Sequence, residues 1–377
     1  MRVAIIGGGI GGLTAALACR AGGAAVTIHE QADEIGDAGA GIQVSPNAAW
    51  VLDRLGLLPD LAEIATRPEA VILNDALTGA ALARVPMGDA AQARYGHGSY
   101  VIHRADLAML LAKAADRAGV ALNLGAELTD AADLDADVVI AADGIKSRQR
   151  AALFGGGDPV FSDHVAWRAL VPLSGAVPAI TRNWLAPGRH VVTYPLRQST
   201  APVMNIVAVE ETRDPADANW RQPGDLATFQ KRFGGFCPAL ADLLARVETV
   251  HKWGLFHHPP LGQWVTDRVA LLGDAAHPMV PFLAQGAAMA IEDAWILALC
   301  LDQGEDVAAA LAVYQARRMG RAGAVQAASL RAGGLYHAGG AKRLMRNGGM
   351  RMIGAFWPGL FARRMDWIYD PSQVLQR

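Results

Sequence analysis

The chain has 377 residues, 52% hydrophobic and 19% charged, which fits two folding units or one elaborated unit around a large core. Its net charge of -2 gives no electrostatic reason to expect nucleic acid or an anionic membrane as partner. Cys19, Cys237 and Cys300 lie far apart in apolar stretches, without a disulfide framework or metal-ligand spacing, so a reducing, cytoplasmic setting is expected.

The first fifteen residues are apolar, but five glycines interrupt them and they run into an amphipathic helix, unlike a signal peptide. Val3–Ile6 reads as a buried strand, Leu13–Ala21 as a helix and Val26–Glu30 as a second strand, a βαβ unit. Ala49–Leu58 and Arg104–Ala118 read as helices, and Val71–Pro86 as a hairpin turning at Thr78-Gly79. Asp137–Ala142 is a buried strand that ends in Asp143-Gly144. From about Ala166 to His258 the pattern changes. The alternating runs Val165–Val171, His190–Leu196 and Met204–Glu210 predict an antiparallel sheet.

Val269–Leu272 returns to the buried-parallel style, and a long helix starts near Gly286. Beyond Asp306 the chain reads as helical, with glycine breaks at 333–334, 339–340 and 348–349. Gly349–Tyr369 reads as a docked terminal helix rather than a membrane-surface one. Charge or glycine interrupts every apolar run before about 18 residues, so no membrane span is expected. The class is α/β: a discontinuous nucleotide-binding domain (1–70, 96–165, 259–330), a substrate domain (71–95, 166–258) and a C-terminal helical segment (331–377). Monomer and homodimer are both open, without stable membrane association.

Gly7-x-Gly9-x-x-Gly12 falls between the first strand and first helix. The first glycine permits the tight turn, the second lets backbone approach a pyrophosphate, and the third lets helix and strand pack closely. The free amides and helix dipole then hold phosphate charge. Glu30 ends the second strand, placed to accept from ribose hydroxyls. NAD and FAD both fit this loop. The run Arg268–Pro278 separates them, because its strand ends in Asp274, which suits the second ribose or ribityl portion of an extended dinucleotide. In Pro281–Ala294 the helix start near Gln285, Gly286 and Ala287 would face a flavin ring and stabilise negative charge on it. Asp274 also reads as a helix N-cap, and Asp143 as a turn residue capping its strand.

The sequence resembles the class A flavoprotein monooxygenases, most closely the salicylate hydroxylase and hydroxynicotinate monooxygenase branch. The carrying residues are GGGIGG at 7–12, HEQADEIGDAGAGIQVSPNA at 29–48, HRADL at 103–107, ADGIKSR at 142–148, GDAAHPMVPFLAQGAAMAIEDA at 273–294 and DWIY at 366–369. They span nearly the whole chain. The resemblance implies a Rossmann-type FAD-binding domain, as in p-hydroxybenzoate hydroxylase, with an inserted antiparallel sheet and C-terminal helices. It implies that Glu30 and Arg104 contact the adenosine and phosphate parts of FAD, that Asp274 meets the ribityl or ribose region, and that Gly286 lies by the flavin. Asp143-Gly144 would serve the region shared with NAD(P)H. The full cofactor set is Gly7, Gly9, Gly11, Gly12, Glu30, Gln31, Arg104, Asp143, Gly144, Gly273, Asp274, Pro281, Gln285, Gly286 and Ala287. An ion pair with Asp106 is the other reading of Arg104.

No second such glycine loop occurs, so NAD(P)H would bind transiently near the flavin. The implied reaction is reduction of the flavin by NAD(P)H, addition of O2 to give a flavin hydroperoxide, and oxygen transfer to a small phenolic or heteroaromatic acid. A larger polyketide- or quinone-like substrate, and a non-catalytic flavin-binding protein, are the competing readings. A free phenol is mostly neutral at pH 7, so a positioned base is useful. His190 and Tyr194 sit at i and i+4 on a strand, hence on one face, with alpha carbons roughly 13 Å apart. They can line one pocket without bonding directly. The pattern is similar to the active-site strand of the hydroxynicotinate and hydroxybenzoate enzymes, where the His is a base candidate.

Gln43, after the Gly39-Ala-Gly41 turn, Trp184, Pro281 and Phe282 are further pocket candidates. The hydroxynicotinate enzymes carry His at the places of Gln43 and Phe282, which points here to a more apolar aromatic substrate. Two departures stand out. The stretch from Leu124 to Asp137 is too short for the family's usual β-meander, and His257-His258 replaces an Asp-Arg type sequence. That His pair lacks further ligands at suitable spacing, so no metal is expected. No Gly-x-Ser-x-Gly elbow supports acyl transfer.

Overall fold

The computed structural model describes residues 1–36, 41–128, 130–197, 202–214, 216, 222–304, 306–357 and 359–372. The Gly39–Gly41 turn therefore falls largely outside the described residues. Strand β1 (Arg2–Ile6), helix α1 (Ile10–Ala21) and β2 (Ala25–His29) form the expected βαβ unit. Then come β3 (Gly41–Val44), α2 (Pro46–Arg54), α3 (Leu58–Ile64), β4 (Ala70–Asp75), β5 (Ala81–Pro86), α4 (Asp89–Tyr95), β6 (Tyr100–His103) and α5 (Arg104–Arg117). The single helix expected over Ala49–Leu58 is two, split around Gly56 in a left-handed conformation (φ 73°). After β7 (Ala121–Asn123), β8 (Val138–Ala141) and α6 (Arg148–Phe154), the chain enters its second sheet.

That sheet takes β9 (Val160–Pro172), β10 (Ile180–Ala186), β11 (Arg189–Leu196) and β12 (Val203–Glu211), then α7 (Leu226–Arg232), α8 (Pro238–Ala245) and β13 (His251–His257). β9 starts six residues before Ala166, where the sequence pattern changes, because its first residues pair with the end of β13 (Phe161 opposite Phe256). The chain closes with β14 (Val269–Leu271), α9 (Gly286–Gln303), α10 (Val307–Tyr336), α11 (Gly340–Phe356), α12 (Leu360–Arg363) and α13 (Asp366–Tyr369). Only the glycine pair at 339–340 interrupts a helix. Gly333-Gly334 and Gly348-Gly349 lie inside α10 and α11. Each costs about 1 kcal/mol relative to alanine, so packing has to outweigh propensity there. At Gly333 the reason is visible: a Cβ would stand 2.6 Å from the Phe282 ring.

β14-β8-β1-β2-β7 form a parallel sheet. Gly7, Glu30, Asp143 and Gly273 all lie at or just beyond the carboxyl ends of its strands, where a parallel sheet opens its binding crevice. The second sheet runs β13-β9-β12-β11-β10-β4-β5 and is antiparallel except where β4 lies parallel to β10. Its alternation separates two faces. Trp167, Trp184, Val191, Ile206 and Ala208 pack with Phe229, Phe233, Leu240 and Leu244 of α7 and α8. The opposite face carries His190, Val192 and Tyr194. The pair β3–β6, too short to stand out in sequence, meets that face through Gly41 and Tyr194. α11 is tied to β4 by Arg343 and Asn347 on Asp75, yet Leu344, Met345, Met352, Phe356 and Trp357 stay exposed. No helix among the described residues is long and apolar enough to cross a membrane.

Candidate active site and cofactor crevice

In the glycine loop Gly7 has φ 107°, and a Cβ there would meet the Ala142 carbonyl oxygen at 2.4 Å. A Cβ at Gly12 would stand 2.0 Å from the Gly7 carbonyl oxygen, and one at Gly11 2.7 Å from Leu272. Gly9 differs, because a Cβ there meets nothing within 4 Å. Its bare backbone faces open space at the uncapped N-terminus of α1. Glu30 accepts from Gly8 N at 2.6 Å and from Ala32 N at 2.8 Å. A carboxylate has about four acceptor sites, so capacity for ribose hydroxyls remains. Gln31 is exposed beside it.

Asp274 lies in a short 3-10 turn and caps no helix. It keeps contact with solvent although neighbouring atoms crowd it, as befits the wall of a cleft. That crowding raises its carboxyl above the ordinary range, against the pull of His277 and Arg104. Its Oδ1 lies 4.0 Å from where a Gly286 Cβ would be. Arg104 is exposed and makes no ion pair with any described residue, Asp106 included. Asp143 does have a turn role, accepting from Arg148 N at 3.0 Å, while its Oδ1 is buried without a partner. Gly144 completes that turn with φ 78°. His258 ties the loop down through the Ile145 carbonyl at 2.9 Å.

The N-terminus of α9 has no side-chain cap, so the first amides, Gly286 and Ala287 among them, are available. Gln285 is buried and bonds Ser45 instead (3.1 Å). Behind them is a buried ionic cluster. Asp293 accepts from Gly273 N (3.1 Å), His277 Nε2 (2.5 Å) and Arg318 Nε (2.7 Å). Glu292 accepts from Arg318, Arg321 and Asn47, each at 2.7 Å. Asp293 thus ties the 273–277 loop to α9, and one guanidinium from α10 clamps Asp293 and Glu292 in place. Arg318 and Arg321 carry no local signature and went unnoticed in the sequence.

The other half of the site is the open face of the seven-stranded sheet. Register puts Arg168, Val207, Val192 and Asn183 side by side across β9, β12, β11 and β10. All four are only partly buried. The rows on either side are closed: Ala166, Val209, His190 and Leu185 on one, Asn205 and Tyr194 on the other. A strip of accessible surface thus crosses the sheet between His190 and Tyr194. Beneath the strip and at its closed edge three buried polar atoms lack partners, namely Arg168 Nε, Asn183 Oδ1 and Asn205 Nδ2. Burial lowers Arg168 to about 10, so it remains a cation at neutral pH, and it pairs with no carboxylate among the described residues. Its guanidinium carbon lies 5.0 Å from the Trp253 ring centre.

His190 is buried and held well below the ordinary histidine range by burial, then by His337 and His164. Tyr194 is likewise buried, which raises its hydroxyl, and it packs where a Gly41 Cβ would be. Phe282 covers the histidines, its ring 5.5 Å from that of His190. Pro281 is exposed beside it, and Gln43 is half-buried on β3. Trp184 requires correction as a pocket candidate. It faces α7 and α8 and donates to Thr193 Oγ1 at 3.1 Å, on the far side of the sheet from His190. Arg168, Asn183, Asn205 and His337 are additions that sequence reasoning missed. A further apolar cavity of about 510 Å³, between β5, α4 and the last two helices, touches none of the nucleotide loop or His190 face.

Comparison with known proteins adds an independent line. A family model described as an FAD binding domain matches residues 1–329. The 3-amino-4-hydroxybenzoate 2-monooxygenase PtmB3 of Streptomyces platensis is 39% identical over 89% of this chain and 88% of its own. The 3-hydroxybenzoate 6-hydroxylase of Polaromonas naphthalenivorans is 34% identical over 97% and 95%. A salicylate hydroxylase solved as a substrate complex superimposes with a TM-score of 0.82 at 28% identity, covering 100% of this chain and 97% of that one.

Proposed function

This chain belongs to the FAD-binding-domain family, among its class A flavoprotein aromatic monooxygenases, and on that premise we propose that it hydroxylates a small phenolic or heteroaromatic acid. The residues fit FAD: bare backbone at Gly9, an unpartnered Asp143 oxygen, and Asp274 beside the uncapped start of α9. Gly9, Glu30 and Arg104 would hold its adenosine and phosphate portion, and Asp274 with Gly286 the remainder. When bound, FAD supplies electron transfer from NAD(P)H and the activation of O2.

The observation that carries the substrate reading is Arg168, a half-buried cation without a carboxylate partner among the described residues, on the accessible strip between His190 and Tyr194. A substrate carboxylate supplies the missing partner through charge-assisted hydrogen bonds. Its alpha carbon stands two strands from Val192, about 10 Å away, a length suited to one ring and its carboxylate. Asn183 borders the strip and offers a hydrogen bond to a ring substituent, and Val192 and Val207 form the apolar floor. His190, neutral at pH 7, accepts the hydroxyl proton and makes the ring more nucleophilic. Phe282 excludes water on that side.

The test is a panel of hydroxylated aromatic acids, each with its decarboxylated analogue, assayed for stimulated NAD(P)H oxidation and for a product heavier by one oxygen. Acids should stimulate and the analogues should not. Equal stimulation by both, or by neither, overturns the reading.

A further inference from the structure

His190 does not stand alone. Its Nδ1 lies 2.7 Å from His337 Nε2, and His337 Nδ1 lies 3.0 Å from Glu211 Oε1. The His337 side chain is 1% exposed and that of Glu211 51%, so the row leads from a buried imidazole to solvent. The chemistry of the last member settles the protons of the others. An ionised carboxylate only accepts, so His337 donates from Nδ1. Burial, with His164 and Arg346 adding to it, lowers His337 to about 3, and it is neutral at pH 7. Its Nε2 is then an acceptor, and His190 must donate to it from Nδ1. His190 is neutral as well, which leaves its lone pair on Nε2, a nitrogen bonded to no described residue. The other polar groups facing this row are His164 from β9, Tyr336 from α10 and Arg346 from α11.

We propose that Glu211 and His337 form a proton relay that holds His190 as an Nε2 base and carries the substrate's hydroxyl proton to water. The proposal rests on the phenolic substrate reading above. The substrate O–H breaks as His190 Nε2–H forms. His190 Nδ1–H breaks as His337 Nε2–H forms, and His337 Nδ1–H breaks as the proton reaches Glu211, which releases it to solvent. No charge stays on either imidazole. This resolves a difficulty, because a base as strongly depressed as His190 cannot retain a proton at pH 7 but can pass one on. Glu211 and His337 act through His190 and are positioning residues.

The probe is 3-hydroxy-4-nitrobenzoate, whose phenolate absorbs visible light, bound to the FAD-loaded enzyme without NAD(P)H. A stopped-flow pH jump reads its ionisation rate. Glu211→Gln keeps the shape but cannot take the proton, and His337→Ala breaks the row. Each should slow ionisation at least tenfold, with the dye's Kd within threefold of the parent, and imidazole should restore part of the rate in His337→Ala. A merely structural role would shift Kd or Tm without imidazole rescue. Parental rates in Glu211→Gln overturn the relay alone. A dye that fails to bind the parent enzyme overturns the phenolic-acid reading and the relay with it. Should His337→Ala not fold, Glu211→Gln carries the test.

Discussion

Replacing Arg318 with Met tests whether the buried cluster holds the cofactor crevice together. Arg318 is 1% exposed and bonds Asp293 and Glu292, each fully buried, at 2.7 Å. Glu292 keeps Arg321 and Asn47, whereas Asp293 loses its only guanidinium among the described residues. Removing one partner of a buried pair costs about 3–5 kcal/mol, a large share of a total near 5–15 kcal/mol. At roughly 2 °C per kcal/mol for a large domain, Tm should fall about 6–10 °C. The sign with pH follows from Asp293. Burial would raise its carboxyl, but His277 and Arg318 overcome this and hold it at about 2. A depressed carboxyl contributes stability above its unfolded value near 4 and loses it as pH falls toward 2, about 2 kcal/mol here. The gap between parent and variant should therefore be full at pH 7 and narrow below pH 4. Thermal unfolding of both, with and without FAD, measures this. A fall under 2 °C at pH 7, or a gap that does not close in acid, refutes the clamp. Adding Asp293→Asn should recover part of the loss, since the stranded charge is gone.

Gly12→Ala places a methyl 2.0 Å from the Gly7 carbonyl oxygen, and the protein should purify without flavin absorbance at 450 nm; a normal flavin content contradicts the loop geometry. Arg168→Gln removes a charge-assisted bond of about 1.5–3 kcal/mol, so KM for an aromatic acid should rise roughly 10- to 100-fold with little change in kcat. An unchanged KM places the carboxylate elsewhere. Trp184→Phe loses the Thr193 bond and part of the indole's packing on the far face, about 1–3 kcal/mol of stability, and steady-state kinetics should be unaltered; a raised KM would return Trp184 to the pocket.

What was legible in the sequence is what local chemistry dictates. The loop at 7–12 and the run at 273–294 concentrate constraints within a few residues, so their glycines and carboxylate announce themselves. The period of two also put His190 and Tyr194 on one face. It says nothing of the side on which Trp184 falls, because parity holds within a strand but not across a turn. The tight Pro187-Gly188 connection sets Trp184 opposite Val191, and that register depends on turn length rather than on alternation. Arg168, Asn205 and His337 were hidden for a different reason. Each lies in a plain alternating or helical run, and its meaning comes from neighbours on strands and helices far away in sequence. The glycines at 333–334 misled in the opposite sense. Propensity reads them as a break, whereas tertiary packing uses Gly333 to bring α10 against Phe282.

The position of Arg318 has a consequence for synthesis on the ribosome. A nascent chain that has emerged through α9 already holds the glycine loop, Glu30, Asp143 and Asp274, but its two adjacent acids, Glu292 and Asp293, still await their guanidinium from α10. Two adjacent carboxylates without a guanidinium resist burial even with Asn47, Gly273 and His277 beside them, so a chain that stops before α10 is expected to hold the crevice loosely. A truncated product ending before α10 should therefore retain little FAD, which its visible flavin absorbance would report.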